Sequence, residues 1–448
     1  SHNFTDVAAT IEPGRRGAEA VAGQLGRYSL SDEAYAAHLA RHPPRELPRL
    51  VIDDIVLVNR SNVADQAILA KIHQEPGREL DLDQLKSDLA KIYDYGVFEL
   101  IDFELVWRDD RMVLVITANP KYYAPNIVNF GISYEGGEGG RSDVELRARW
   151  TRMEMNAFGA ELRTDVQIGT NNLIRSEYYQ PLNWARRPFV ALTVKAEHDL
   201  KNYYQDMLRV AQYKELQAVV RPEAGLRIGH YGEIRGGIDY GYLRTTDSTG
   251  DSPVEYDGDR GGYLVRATFD MMDLPILPRK GYFLRANYFR GRPEFGGDLD
   301  YSRLEAGAAV AATAGRHTFS GRLSGGSNLG TDLPEFHMFT LGGLSRLSGF
   351  ARDQFRGQAY GLGAISWYHL FAGSTQPYTT AWHIGLQGEA GNAWLDPGAA
   401  GWDDLRYSGM VSIVATTIIG PVAATYAHAE GGHNAFYLTV GTIRDLAH

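Results

Sequence analysis

From residue 126 onward, apolar and polar side chains alternate one for one. Val144, Leu146, Ala148 and Trp150 alternate with Glu145, Arg147, Arg149 and Thr151. Leu162, Thr164, Val166 and Ile168 alternate with Arg163, Asp165 and Gln167, and Tyr282, Leu284, Ala286 and Tyr288 with Phe283, Arg285 and Asn287. A period of two puts neighbouring side chains on opposite faces of a strand. A soluble sandwich alternates as well, so the connections must decide. Short turns (Asn156 to Gly159, Gly229 to Gly232, Ala314 to His317, Ile419-Gly420) are interspersed with long polar loops (Thr245 to Gly262, Arg290 to Asp300, Ser327 to Gln358). Short turns at one end and long loops at the other are expected of a transmembrane barrel. At about 20 residues per strand and connection, segment 126–448 holds sixteen strands. An even number returns both ends to the short-turn side. A barrel of that size encloses a wet lumen, which accommodates the inward Arg, Glu and Asp residues.

Upstream, segment 49–122 reads as a β-α-α-β-β unit. Val51 to Val58 is a strand rich in branched residues. Ser61 caps a helix through Ala64, Ile68 and Ile72, and Pro76-Gly77 breaks the chain. Leu82, Leu85, Leu89 and Ile92 form one face of a second helix, which ends at Gly96. Phe98 to Trp107 and Met112 to Ala118 pair around Asp109-Asp110. Residues 1–48 read as a short helical linker, or the tail of a missing N-terminal domain. Ser31 caps a helix through Arg41, which Pro43-Pro44 ends. Ser1-His2 resembles a vector-derived start with no leader after it, so the chain is expected to be a fragment or processed form. The predicted fold class is mainly β: a 16-stranded barrel over 126–448, one small α+β unit and a helical linker.

Composition narrows the chemistry. The 55 acidic and 45 basic side chains give a net charge of −10, which speaks against a nucleic-acid partner. There is no cysteine, hence no disulfide, thiolate metal site or thiol nucleophile. The 50 glycines and 26 tyrosines suit many strands and turns. Trp150, Trp184, Tyr368 and Trp382 are candidate residues of an interfacial aromatic girdle. No G-x-S-x-G motif is present, and Asp257-Gly258 sits in a loop where turn chemistry explains it, so no catalytic residue is assigned and the chain is read as a non-enzyme. His428, Glu430 and His433 flank Gly431-Gly432 and read as polar loop residues rather than a metal site. Gly385, Gly388 and Gly391 lack the strand-turn-helix setting of a nucleotide loop. No cofactor is implied.

Segment 49–122 resembles a polypeptide-transport-associated (POTRA) domain, through Leu80-Asp81-Leu82-Asp83-Gln84-Leu85 and Ile92-Tyr93-Asp94-Tyr95-Gly96-Val97-Phe98. The barrel resembles the superfamily of outer-membrane assembly factors and two-partner-secretion transporters. Three motifs carry the likeness: Pro278-Arg279-Lys280-Gly281-Tyr282, Leu347-Ser348-Gly349-Phe350 behind Leu341-Gly342-Gly343, and Gln387-Gly388-Glu389-Ala390-Gly391-Asn392. The resemblance implies an outer-membrane location, a periplasmic POTRA domain and extracellular long loops. It also implies that the loop around Leu347, Ser348, Gly349 and Phe350 folds into the lumen and is braced by the strand bearing Glu389 and Gly391. Relatives carry an arginine before the loop glycine, where this chain has Ser348; Arg346, Arg352 and Arg356 are the candidate substitutes. A single POTRA unit and the serine resemble the patatin-like autotransporters of type Vd secretion. That implies a lipase passenger ahead of residue 1, with partners in that passenger, in membrane lipids, and in periplasmic chaperone and barrel-assembly machinery. An insertase of the same superfamily and a passive porin are the alternatives.

Overall fold

The computed structural model describes residues 8–41, 50–93, 95–121, 125–137, 142–205, 207–229, 231–274, 276–373, 380–417 and 420–441. Expectations placed on Pro43-Pro44, Asp94, Ile419 and the chain after Gly441 lie outside these residues. Sixteen antiparallel strands close into one barrel, each paired with its neighbour in chain order. The first, Asn126–Gly137, pairs with the last, Asn434–Gly441. Seven residue pairs, from Ala435↔Gly137 to Gly441↔Gly131, make that seam. Eleven pairs join the first strand to Ser142–Arg152 on its other side.

Alternation assigns the two faces of the wall. Val128, Leu146, Val190, Val220, Leu323 and Ile365 are outward and exposed, while Asp165, Glu197, Asp239 and Glu389 are inward and buried. Exposed apolar side chains all around a closed sheet suit hydrocarbon, not water. Among the described residues no helix is long and apolar enough to cross a membrane. Trp150 and Trp382 stand on the outer face, half exposed. Tyr368 does not: it lies one residue out of phase and lines the lumen. Trp184 sits in a turn, tilted against Phe158 with ring centroids 4.5 Å apart.

The expected contrast of turn lengths holds only in part. Thr170 alone joins Glu161–Gly169 to Asn171–Pro181 at the long-loop end. At that same end two of the three longest strands, Pro188–Gln205 and Leu208–Ile228, pair up to Gln205↔Leu208. Pairing continued past the bilayer thickness replaces loop with sheet.

Ahead of the barrel, Asp54–Asn59, Arg111–Pro120 and Phe98–Arg108 form a three-stranded sheet in that order. The first pair is parallel and the second antiparallel. The hairpin turns at Asp109 and Asp110, both at positive φ (49° and 61°), as a tight two-residue turn requires. Helix Leu82–Tyr93 covers one face through Leu85 and Ile92. Its first amides are capped by Asp81, whose carboxylate accepts from Asp83 and Gln84 (3.1 and 2.9 Å). The other helix is only Asp65–Leu69, shorter than the apolar spacing predicts. The Asn59 and Ser61 side chains capture the amides of Ser61 and Val63 in a turn and delay its start. The expected strand from Val51 to Val58 is split: Val51–Ile52 pairs instead with Arg78–Glu79.

In the N-terminal segment Asp32–Arg41 is helical, and the Ala34 amide donates to Ser31 Oγ at 3.2 Å. Ala8–Ala20 is also a helix, which its glycines did not suggest. Arg15 reaches both Glu12 and Glu19 at one-turn spacing, which favours the helix despite Gly14 and Gly17.

The small unit is seated on the first two short turns of the barrel. Met153 and Trp184 pack into its core of Val63, Ala67, Ile68 and Tyr95. Arg186 lies over the Tyr95 ring at 5.2 Å and donates to Glu161 at 2.6 Å. Beside them, burial pushes the Glu154 carboxyl up to about 7, against the pull of Arg186. One of its oxygens has no hydrogen-bond partner. The unfolded chain releases this proton near pH 4.5 and the folded chain only near 7. Stability therefore falls as pH rises between those values and stays lowered above them. The shift corresponds to at most about 3 kcal/mol, and partial exposure reduces it to roughly 1 kcal/mol. Glu154→Gln is expected to abolish that loss. The check is proteolysis of the chain between the small unit and the barrel at pH 5 and pH 8: wild type is cut faster at pH 8, the variant equally at both.

Candidate functional site

The lumen is built by the inward half of each alternation. On the strands from Ser142–Arg152 round to Asp257–Asp270 it is a lattice of ion pairs. Asp165 takes Arg149 and Arg175, both at 2.6 Å. Glu197 takes Lys195 at 2.9 Å, Asn171 at 2.8 Å and Gln217 at 2.7 Å. Lys201 meets Glu215 at 2.9 Å. Arg260 and Arg221 share Asp239, and Arg235 and Arg266 share Glu223. Each buried carboxylate thus has a cationic or amide partner, as its removal from bulk water demands.

The long loop between His317–Ser327 and Ala359–Gly373 folds into this lumen. Two short strands, Phe339–Leu341 and Phe355–Gly357, pair at its base. Its tip turns through Ser345 and Leu347, both at positive φ (63° and 74°). Leu347 and Phe350 are fully buried, with Phe350 edge-on to Phe355 at 4.8 Å. Gly349 touches the barrel wall: a Cβ there would stand 2.5 Å from the Ala429 Cβ and amide nitrogen. No side chain fits without moving the loop.

Glu389 receives the tip. The Ser348 amide donates to its Oε2 at 2.6 Å, Ser408 Oγ to the same oxygen at 2.9 Å, and Gln387 Nε2 to Oε1 at 2.9 Å. Tyr437, on the last strand, donates to the Ser348 carbonyl at 2.7 Å. The arginine beside Glu389 is none of the three expected from the loop. It is Arg322, 3.6 Å away on His317–Ser327, two strands along the wall, which also donates to the Ser345 carbonyl. Arg346 turns back to the Thr340 carbonyl (2.7 Å) and lies 5.6 Å over the Tyr360 ring. Arg352 reaches across the lumen to grip both oxygens of Asp199 (3.1 and 3.0 Å), with Glu145 at 3.6 Å. Arg356 donates to Tyr213 Oη at 2.9 Å and pairs with Glu335 at 3.4 Å. A Cβ at Gly391 would come within 2.5 Å of the Gly361 carbonyl, so its smallness serves the approach of two wall strands.

The loop is therefore a cross-brace, held by a backbone amide at one wall and an arginine fork at the other. Arg322, Asp199, Ser408 and Tyr437 were not singled out from the sequence. Their inward phase in the alternation was the available signal. Beside the loop is a cavity of about 780 Å³, lined by Lys195, Glu197 and Arg221 on one side and by Met410, Ser412 and Thr425 on the other. Such a lumen can hold a polar chain in water.

A family model described as the Omp85 superfamily domain matches residues 156–402, a span that includes the whole inserted loop and Glu389. Among solved structures, BamA from Haemophilus ducreyi lacking POTRA domains 1-3 superposes with a TM-score of 0.64 at 15% identity, over 88% of this chain and 85% of that one. CdiB from Acinetobacter baumannii gives 0.59 at 10% identity, over 88% and 74% of the two chains. CdiB from Escherichia coli gives 0.59 at 11% identity, over 88% and 77%. At such identities the likeness is one of fold. No curated protein matches the chain.

Proposed function

From the premise that this chain belongs to the Omp85 superfamily, we propose that it is an outer-membrane translocator for a passenger attached at its N-terminal end. The observation that carries this reading is a closed barrel with a charged lumen holding its own loop, with a small α+β unit seated at the rim where the first barrel strand begins and the last one ends. The unit acts as a periplasmic POTRA domain. Its sheet has two edge strands, Asp54–Asn59 and Phe98–Arg108, and either can take up an extended segment by backbone hydrogen bonds. The barrel then supplies a route on which backbone groups stay satisfied. The passenger is a patatin-like lipase. Ser348 in place of the loop arginine and an exposed helical segment upstream of the α+β unit support that assignment.

The test is surface display of a reporter fused ahead of this chain behind a signal peptide, with and without residues 49–122. Display is expected to fall at least tenfold without the unit, while heat-modifiable, folded barrel still accumulates. A folded barrel that never exposes the reporter in either form overturns the reading. A general defect in assembly of other barrels on deletion would favour an insertase.

A further inference from the structure

The two halves of the lumen differ in kind. Every strand from Ser142–Arg152 to Asp257–Asp270 carries charged residues, and Arg149, Asp165, Lys195, Glu197, Arg221 and Asp239 among them are knit into the ion-pair lattice. The last five strands, from Ala359–Gly373 to Asn434–Gly441, carry only two fully charged residues among them, Arg406 and Glu389. Arg406 is at the loop-side rim, paired with Glu430 at 2.8 Å. Glu389 is fully enclosed by the loop tip. Between that contact and the seam, the wall presents Met410, Ser412, Val414, Ala423, Thr425 and Thr439 to the cavity. The Ser412 and Thr425 hydroxyls are hydrogen-bonded to each other at 2.8 Å.

A translocator must pass any sequence and hold none. On the charged wall, a passing lysine or aspartate would find opposite charges in a half-dry setting, where attraction is several-fold stronger than in water. Exchange with the resident pairs would trap it. The neutral wall has no such wells, and its small hydroxyls exchange weak hydrogen bonds with a moving backbone. Resting on the translocator reading, we infer that an extended polypeptide moves along the neutral sector between Glu389 and the seam, while the charged sector serves as rigid frame.

The chain has no cysteine, so single thiols report position cleanly. Ser412→Cys, Thr425→Cys and Thr439→Cys mark the neutral sector; Gln167→Cys and Thr193→Cys mark the charged one, all five lining the same cavity. Four replace a hydroxyl side chain by one of similar size, Gln167→Cys also removes the acceptor of Arg147, and folded barrel is verified by heat modifiability. The probe is a cysteine-free reporter that folds tightly around an added ligand and stalls export, with one cysteine in the extended linker behind it. Oxidative cross-linking is expected to be at least tenfold higher at 412, 425 and 439 than at 167 and 193. Equal or reversed yields overturn the inference and leave translocation standing. A reporter that is displayed when the ligand is absent, yet cross-links to none of the five when stalled, overturns the lumen route and the inference together.

Discussion

Glu389→Ala is expected to free the loop from its wall without opening the barrel. The carboxylate is the acceptor for the Ser348 amide and the Ser408 hydroxyl, and lies 3.6 Å from the Arg322 guanidinium. Its removal leaves two buried donors and a cation without it, at a cost of about 3–5 kcal/mol in the loop's docked state. The sixteen-strand ladder is untouched, because Glu389 joins it only through its backbone. Single-channel recordings should show larger and noisier conductance, and protease added on the loop side should cut between Gly342 and Gly357. Unchanged conductance with an uncut loop would show that the brace does not depend on this carboxylate. Glu389→Gln should be intermediate, since an amide can accept the Ser348 hydrogen bond without the charge.

The second large effect is expected at the opposite anchor. Arg352→Ala leaves Asp199 and, beyond it, Glu145 facing a void where the guanidinium stood. Breaking a buried pair from one side costs about 3–5 kcal/mol, mostly as an uncompensated charge. Arg352→Ala with Asp199→Asn should recover a large part of that loss, because the orphaned charge goes too. The readout is the temperature at which the folded, compact band is lost on unheated-to-heated gels. If the double variant is as unstable as the sum of the singles, the fork across the lumen contributes nothing as a pair.

What was legible depended on how far apart the partners lie in the chain. Alternation is local, so the faces of Ser142–Arg152 or Gly281–Gly291 could be read directly, and with them the barrel. Phase was read less well: Tyr368 and Trp382 look alike as aromatic residues near strand ends, yet one lines the lumen and the other faces outward. The site required knowing which inward residues meet across the barrel. Arg352 and Asp199 are 153 positions apart, and nothing local joins them. The loop arginines were sought next to Glu389 because an ion pair was expected there; the fold places a serine amide on the acid and takes the guanidinium from Arg322 on the wall. The helix Ala8–Ala20 was missed for a different reason. Its glycines weigh against a helix one residue at a time, whereas the Glu12, Arg15 and Glu19 contacts act at a spacing of three and four.

The seam sets a limit on how the molecule comes into being. Its partners, such as Gly137 and Ala435, are about 300 residues apart, so they are the most distant contacts in the strand ladder. Every other ladder of the barrel links strands that are consecutive in the wall and can zip as hairpins. The ring therefore completes only after the final strand has arrived, and until then the sheet carries two bare margins, each able to recruit another chain. Bringing them together costs loop-closure entropy that no earlier hairpin has offset. The last step should be the slow one, concentration should divert it to aggregates, and refolding should improve on dilution into a bilayer that holds the two margins in one plane.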